Sequence, residues 1–119
     1  MSHWEKIQPL RVESGWTIDI NRLFDLEPIS ENMEWFYGSV LISGHNTDGL
    51  CFDVRYEPEG EPDGEFIIDL LQLETKTIEE KLLTSFSTKN RSELIFIIEY
   101  FMFNLKAPDK ILECQGHTP

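Results

Sequence analysis

The stretch Gly49–Leu73, GLCFDVRYEPEGEPDGEFIIDLLQL, decides how this chain folds. Leu50, Phe52, Val54 and Tyr56 alternate with Cys51, Asp53, Arg55 and Glu57. A period of two puts the first set on one face of a β-strand and the second on the other. Downstream, Phe66, Ile67, Ile68, Leu70 and Leu71 form an apolar run that predicts a strand covered on both faces. Between the two runs lies EPEGEPDGE, residues 57–65. Pro58 and Pro62 cannot donate to a strand ladder, and Gly60 and Gly64 admit positive φ. The expectation is a β-hairpin whose tip carries Glu57, Glu59, Glu61, Asp63 and Glu65, with Asp53 and Asp69 able to face each other across it.

Working outward toward the N-terminus, Met33–Ser43 reads as a strand. Trp35, Tyr37, Ser39 and Leu41 fall on one face, and Phe36, Gly38, Val40 and Ile42 on the other. Because neighbours on a strand alternate, Trp35, Phe36 and Tyr37 cannot all point inward. At least one is exposed or lies under a loop, which makes it a candidate anchor for a partner, and Trp35 and Tyr37 are the candidates. Gly44–Gly49, GHNTDG, reads as a hairpin connection. Trp16, Ile18 and Ile20 alternate with Thr17, Asp19 and Asn21 as a short half-buried strand after the Ser14–Gly15 turn. Asn21–Ile29 is a loop with at most one helical turn, closed by Pro28, and Trp4 and Ile7 are anchors in the opening segment.

Toward the C-terminus, the alternation and the Thr/Ser content of Lys81–Thr88 suit a strand. Leu82, Thr84 and Phe86 share one face of it. A helix then opens with Asn90 or Ser92 as its cap and runs to about Lys106, before Pro108 forbids continuation. Leu94, Ile97, Ile98, Phe101, Met102 and Leu105 form the stripe that covers a sheet. Phe96, Tyr100 and Phe103 form a second, displaced aromatic line. Either the helix is seated deeply, or that line is an exposed patch for dimerisation. A short edge strand at Lys110–Cys114 completes the expectation. The whole is one α+β domain over residues 1–119, a four- to five-stranded, mostly antiparallel meander with one long C-terminal helix packed on a face.

Twenty-two acidic residues against ten basic ones give a formal net charge of -12. That balance disfavours direct contact with nucleic acid, which needs clustered Lys and Arg. It equally disfavours an anionic membrane surface. It favours a cationic protein partner, whose association long-range attraction accelerates. The N-terminal segment lacks the apolar core of a signal peptide, and the most apolar run, Leu94–Leu105, is too short to span a bilayer. The expected location is cytoplasmic, where Cys51 and Cys114 are expected as free thiols.

The motifs of common chemistries do not occur. There is no CxxC, no GxSxG, no GxGxxG and no phosphate-binding loop. His3, His45 and His117 are scattered, and His45 is expected to be solvated in a turn. The tip carboxylates lack the spacing of a calcium loop. No metal or other cofactor is expected, and an Asp53–Asp69 pair is explained more simply as solvated surface than as an acid–base site.

Three stretches together resemble a family. They are WEKIQPLRVESGWTIDINRLFDLEP at 4–28, DVRYEPEGEPDGEF at 53–66 and LLTSFSTKNRSELIFIIEYF at 82–101. They are similar to small acidic bacterial immunity proteins encoded beside polymorphic or contact-dependent toxins. Where that pattern has an aromatic shortly after the Gly-Trp pair, this chain has Ile18 and Ile20. The resemblance implies an α+β, cytosolic, non-enzymatic protein that binds and blocks one toxin. It carries over no binding residues, because such surfaces diverge with the toxin. On the residues alone, the binding candidates are the five tip carboxylates with Trp35 and Tyr37. The partner is expected to be a basic toxin, such as a cationic nuclease, met by a monomer or a homodimer. The competing expectation is a dimeric scaffold or regulatory module using the aromatic line of the helix.

Overall fold

The structure, a computed structural model, describes residues 7–37, 40–74 and 79–109. Trp4 and the expected strand at Lys110–Cys114 lie outside the described residues, as does Cys114. Five strands, β1 (Trp16–Asn21), β2 (Ile42–Asn46), β3 (Leu50–Glu57), β4 (Glu65–Glu74) and β5 (Glu79–Thr88), form one sheet in sequence order. Every neighbouring pair is antiparallel. One helix, α1 (Arg91–Asn104), follows and packs on the sheet. The protein is an α+β meander closed by a C-terminal helix. No helix among the described residues is long and apolar enough to cross a membrane.

The central hairpin has the register its alternation predicts. Leu50, Phe52, Val54 and Tyr56 are buried, paired in turn with Gln72, Leu70, Ile68 and Phe66. Asp53 stands opposite Asp69. Leu94, Ile97, Ile98, Phe101 and Met102 of α1 bury against this face. Trp16 fastens the far end: its ring packs on Phe52 and Phe101, 6.0 and 5.7 Å between centroids, and its Nε1–H donates to the Met102 carbonyl at 3.0 Å. The Asn90 side chain accepts from the Glu93 N–H to cap α1, and Leu105, at φ 61°, ends it in the left-handed conformation.

Four sequence expectations are corrected. First, Met33–Ser43 is not a strand. Ser30–Trp35 forms a 3-10 helix, with Phe36 N–H donating to the Met33 carbonyl, β2 takes only Ile42 and Ser43 of the expected span, and Gly38 and Ser39 lie outside the described residues. The aromatic run mimics β-propensity, but its bulk is needed to cap the core end of the hairpin, where Phe36 meets Tyr56 and Phe66. Second, the β2–β3 connection is shorter than expected. Gly44 and His45 are in β2, and the Asn46 side-chain oxygen holds the turn by accepting from the Asp48 and Leu50 N–H groups, both at 2.9 Å.

Third, register breaks fall between Ile18 and Ile20 and at Leu83. A bulge exchanges faces. Ile20 therefore pairs with Ser43 and Leu82 with Leu71, on the side away from α1. Fourth, among the described residues β4 is covered on one side only. Ile67, Leu71 and Leu73 are half-buried on the face opposite the helix, where no described side chain is fully buried. Asn21 closes β1, and the rest of the Asn21–Ile29 segment is a loop, as expected, but with tight two-residue turns in place of a helical one.

Removing a ring from the helix–sheet seam leaves a cavity that rigid neighbours cannot fill. Phe101→Ala is expected to cost about 3–5 kcal/mol, read as a lowered urea midpoint. Phe103→Ala, on the same helix but 69% exposed, is expected to change stability by no more than about 0.5 kcal/mol.

Candidate protein-binding surface

The acidic tip is a built structure. The ladder runs up to the pair Glu57–Glu65, and the Glu57–Pro58 peptide is cis. Two turns follow, with Glu61 N–H donating to the Pro58 carbonyl (3.3 Å) and Gly64 N–H to the Glu61 carbonyl (2.9 Å). The Tyr56 hydroxyl donates to that same Glu61 carbonyl at 2.9 Å. Its ring occupies the space beside Gly64, where an added Cβ would lie 2.6 Å from a ring carbon. Gly60, at φ 71°, donates its N–H to the Phe36 carbonyl at 3.2 Å, and a Cβ there would come 2.2 Å from the Tyr37 hydroxyl. A buried tyrosine below and close backbone approaches at two glycines thus turn the carboxylates outward. Glu57, Glu59, Glu61 and Asp63 are exposed and Glu65 is half-buried.

Of the two aromatic candidates, the structure brings one to the tip. Tyr37 is 50% exposed and lies against Gly60. Trp35 does not join it. Its ring is half-buried and packs edge-on against Phe24, with 5.0 Å between centroids. Phe36, the third member of the run, is core.

Glu57 and Glu65 also open onto the sheet face away from α1. At its centre the Arg55 guanidinium bridges Glu57 (2.6 Å) and Asp69 (2.7 Å), and Ser85 Oγ donates to the other Asp69 oxygen at 2.8 Å. Asp53, across from Asp69, is pushed above the ordinary carboxylate range. Burial is the main cause, with Asp69 and then Glu80 adding repulsion and Arg55 partly offsetting them.

His45 is not simply solvated in a turn. It sits in β2, its Nδ1 2.8 Å from Asp19, and pairs in register with Cys51. This Asp–His–Cys juxtaposition escaped the sequence because the turn was placed too early. Its electrostatics run against a thiolate nucleophile. Burial, Glu80 and Asp19 all push the Cys51 thiol up, and its Sγ–H donates to the Gly49 carbonyl at 3.4 Å. No group of three or more His, Cys, Asp or Glu among the described residues is placed to hold a metal ion. Three clefts among the described residues have volumes of about 260 to 440 Å³. The cleft of about 340 Å³ is lined by Gln8, Asp25, Arg91, Ser92 and Ile95, and Arg91 is already engaged there by Gln8, Asp25 and Glu27. Comparison with protein-family models, with curated proteins and with solved structures finds no match for the chain.

Two outcomes follow from this geometry. Gly60→Ala adds a methyl where Tyr37 lies and strains a positive φ. It is expected to cost about 1 kcal/mol or more and to displace the Tyr37 ring, seen as changed ring-proton shifts. Folding raises the Asp53 pKa, so the native chain binds that proton more tightly than the unfolded one. The contribution of this group is therefore fully present below its unfolded pKa, about 3.9, and is lost as pH rises through the folded value. Asp53→Asn is expected to raise the melting temperature at neutral pH, with the gain fading to nothing below about pH 4 in thermal scans.

Proposed function

We propose that this chain is an immunity-type binding protein that neutralises a cognate toxin in the cytoplasm by covering its active surface. The observation that carries this reading is the hairpin tip, where five carboxylates and the half-exposed Tyr37 share one end of the sheet. A toxin that cleaves nucleic acid presents Lys and Arg to phosphate. The tip offers carboxylates to those same groups, so substrate and inhibitor compete for one cationic surface. The net charge of -12 speeds the encounter. Tyr37, an amphipathic ring on a fixed backbone, suits the role of anchor.

Co-expression with the protein encoded by the adjacent gene tests the proposal. Growth arrested by that protein should be restored, and the two chains should co-purify in a fixed ratio. Arrest that persists with this chain present would end the reading. Glu59→Lys combined with Glu61→Lys is expected to slow association about tenfold or more at low salt. The two rates should converge near 1 M salt, where screening acts within ~3 Å. Rates that match at every salt concentration would remove the tip from the interface.

A second reading, a homodimeric scaffold joined through α1, has the exposed Phe103 in its favour. Phe96 and Tyr100, however, are half-buried and packed on each other, 5.7 Å between centroids, so the aromatic line does not form one free strip. A single monomeric species in sedimentation at high protein concentration dismisses that scaffold.

A further inference from the structure

We propose that the sheet face opposite α1 is itself a docking surface, and that its occupant is a cationic protein whose contact patch is apolar at the centre and rich in Lys and Arg at the rim. This rests on the reading of the chain as a protein binder, and it assigns the surface that carries the affinity.

The first support is a set of apolar side chains that no described element covers. In register across three strands, Cys51 pairs with Leu71 and Leu71 with Leu82, while Ile67 and Leu73 lie on the same side of β4. Leu82 is 55% exposed, and the others are half-buried. Cross-strand partners stand ~5 Å apart, so Cys51, Leu71 and Leu82, with Leu73 beside them, form one patch, and Asp69 separates Ile67 from it. The run in β4 has the composition of a strand buried on two sides, yet among the described residues only the α1 side is covered. A soluble sheet face is ordinarily polar on alternate positions. Apolar residues on such a face mark an interaction site.

The second support is charge. Asp19, Asp53, Glu57, Glu65, Asp69 and Glu80 frame the stripe, with Arg55 the guanidinium among them. Arg55 is taken up by Glu57 and Asp69, and no described cation reaches Asp53 within ion-pair distance. A partner ammonium or guanidinium placed there would meet a half-buried carboxylate in a desolvated setting, where such a bond is strong. The same charges argue against a second copy of this chain, because apposing two such faces sets carboxylate against carboxylate. The same face runs from this patch past Asp53, Asp69 and Arg55 to Glu57 and Glu65 at the tip.

The test uses the full chain, nitrogen-15 labelled, titrated with an amphipathic helical peptide made of leucine and lysine alone. Shift changes are expected on residues 51–55, 67–73 and 82–85. A peptide of equal charge with serine in place of leucine is expected to bind at least tenfold more weakly, as is the leucine peptide to the chain carrying Leu82→Ser. Because Leu82 is exposed, that variant keeps the fold, and an unperturbed spectrum elsewhere verifies it; Asp53→Lys provides the matching charge variant. Shifts confined to residues 59–63 or to α1, equal binding of the serine peptide, or self-association through this face would each overturn the proposal. Failure of growth rescue with shifts mapping to this face would reject the toxin reading and leave the surface standing. Rescue with shifts mapping elsewhere would do the reverse.

Discussion

A single helix of 14 residues has to close the core of a five-stranded sheet, and it is too narrow to do so alone. Such a helix is ~21 Å long and ~10 Å across. Five strands spread over ~19 Å, and a strand of ten residues runs ~33 Å. The remaining cover comes from irregular chain, whose Leu23, Met33, Phe36 and Leu41 are buried against the same face. Irregular backbone brought over a core must have its polar groups bonded. Arg22 supplies two such bonds to the backbone, and Arg91 adds bonds between side chains. Arg22 donates to the carbonyls of Val40 (3.1 Å) and Tyr37 (2.8 Å), and Arg91 ties Gln8, Asp25 and Glu27 to the start of α1. Among the described residues the cover therefore gathers on one side of the sheet.

That arrangement also decides where charge goes. Ten cations stand against twenty-two carboxylates in the sequence, and several of those cations work inside the fold. Arg22 and Arg91 hold the covering loop in place, and Arg55 holds two carboxylates of the open face. What remains toward solvent on the tip and the open face is predominantly negative.

How much of this was legible depended on whether local pattern and tertiary demand agreed. In the central hairpin they did. Alternation at Leu50–Glu57 fixed the buried face, and the opposition of Asp53 and Asp69 followed. The tip carboxylates were legible because Pro and Gly at 58, 60, 62 and 64 leave few backbones to choose from. Trp35, Phe36 and Tyr37 were misread because aromatic residues favour strands, while the need to cap the hairpin end required a compact 3-10 turn. The bulges at Asp19 and Leu83 leave no local mark, yet they move Ile20 and Leu82 to the outer face. The continuous apolar run of β4 is ambiguous in principle. A strand covered by its own chain and a strand covered by a partner have the same composition, and only the count of covering elements separates them.

The tip and the outer face contribute different things to recognition. Exposed carboxylates on a projecting turn feel a partner from beyond the contact distance but are screened by salt within ~8 Å at physiological strength, so they act on the rate of encounter. The outer face has little reach, but it offers apolar area that leaves water on contact, worth ~25 cal/mol per Å² before the costs of association. A binder with only the first would release its partner quickly, and one with only the second would be slow to find it and slow to discriminate. Glu57 and Glu65 belong to both surfaces at once. On the proposed reading, a partner drawn to the tip meets the outer face at Glu57 and Glu65, with Asp53 and Asp69 next along it before the apolar patch.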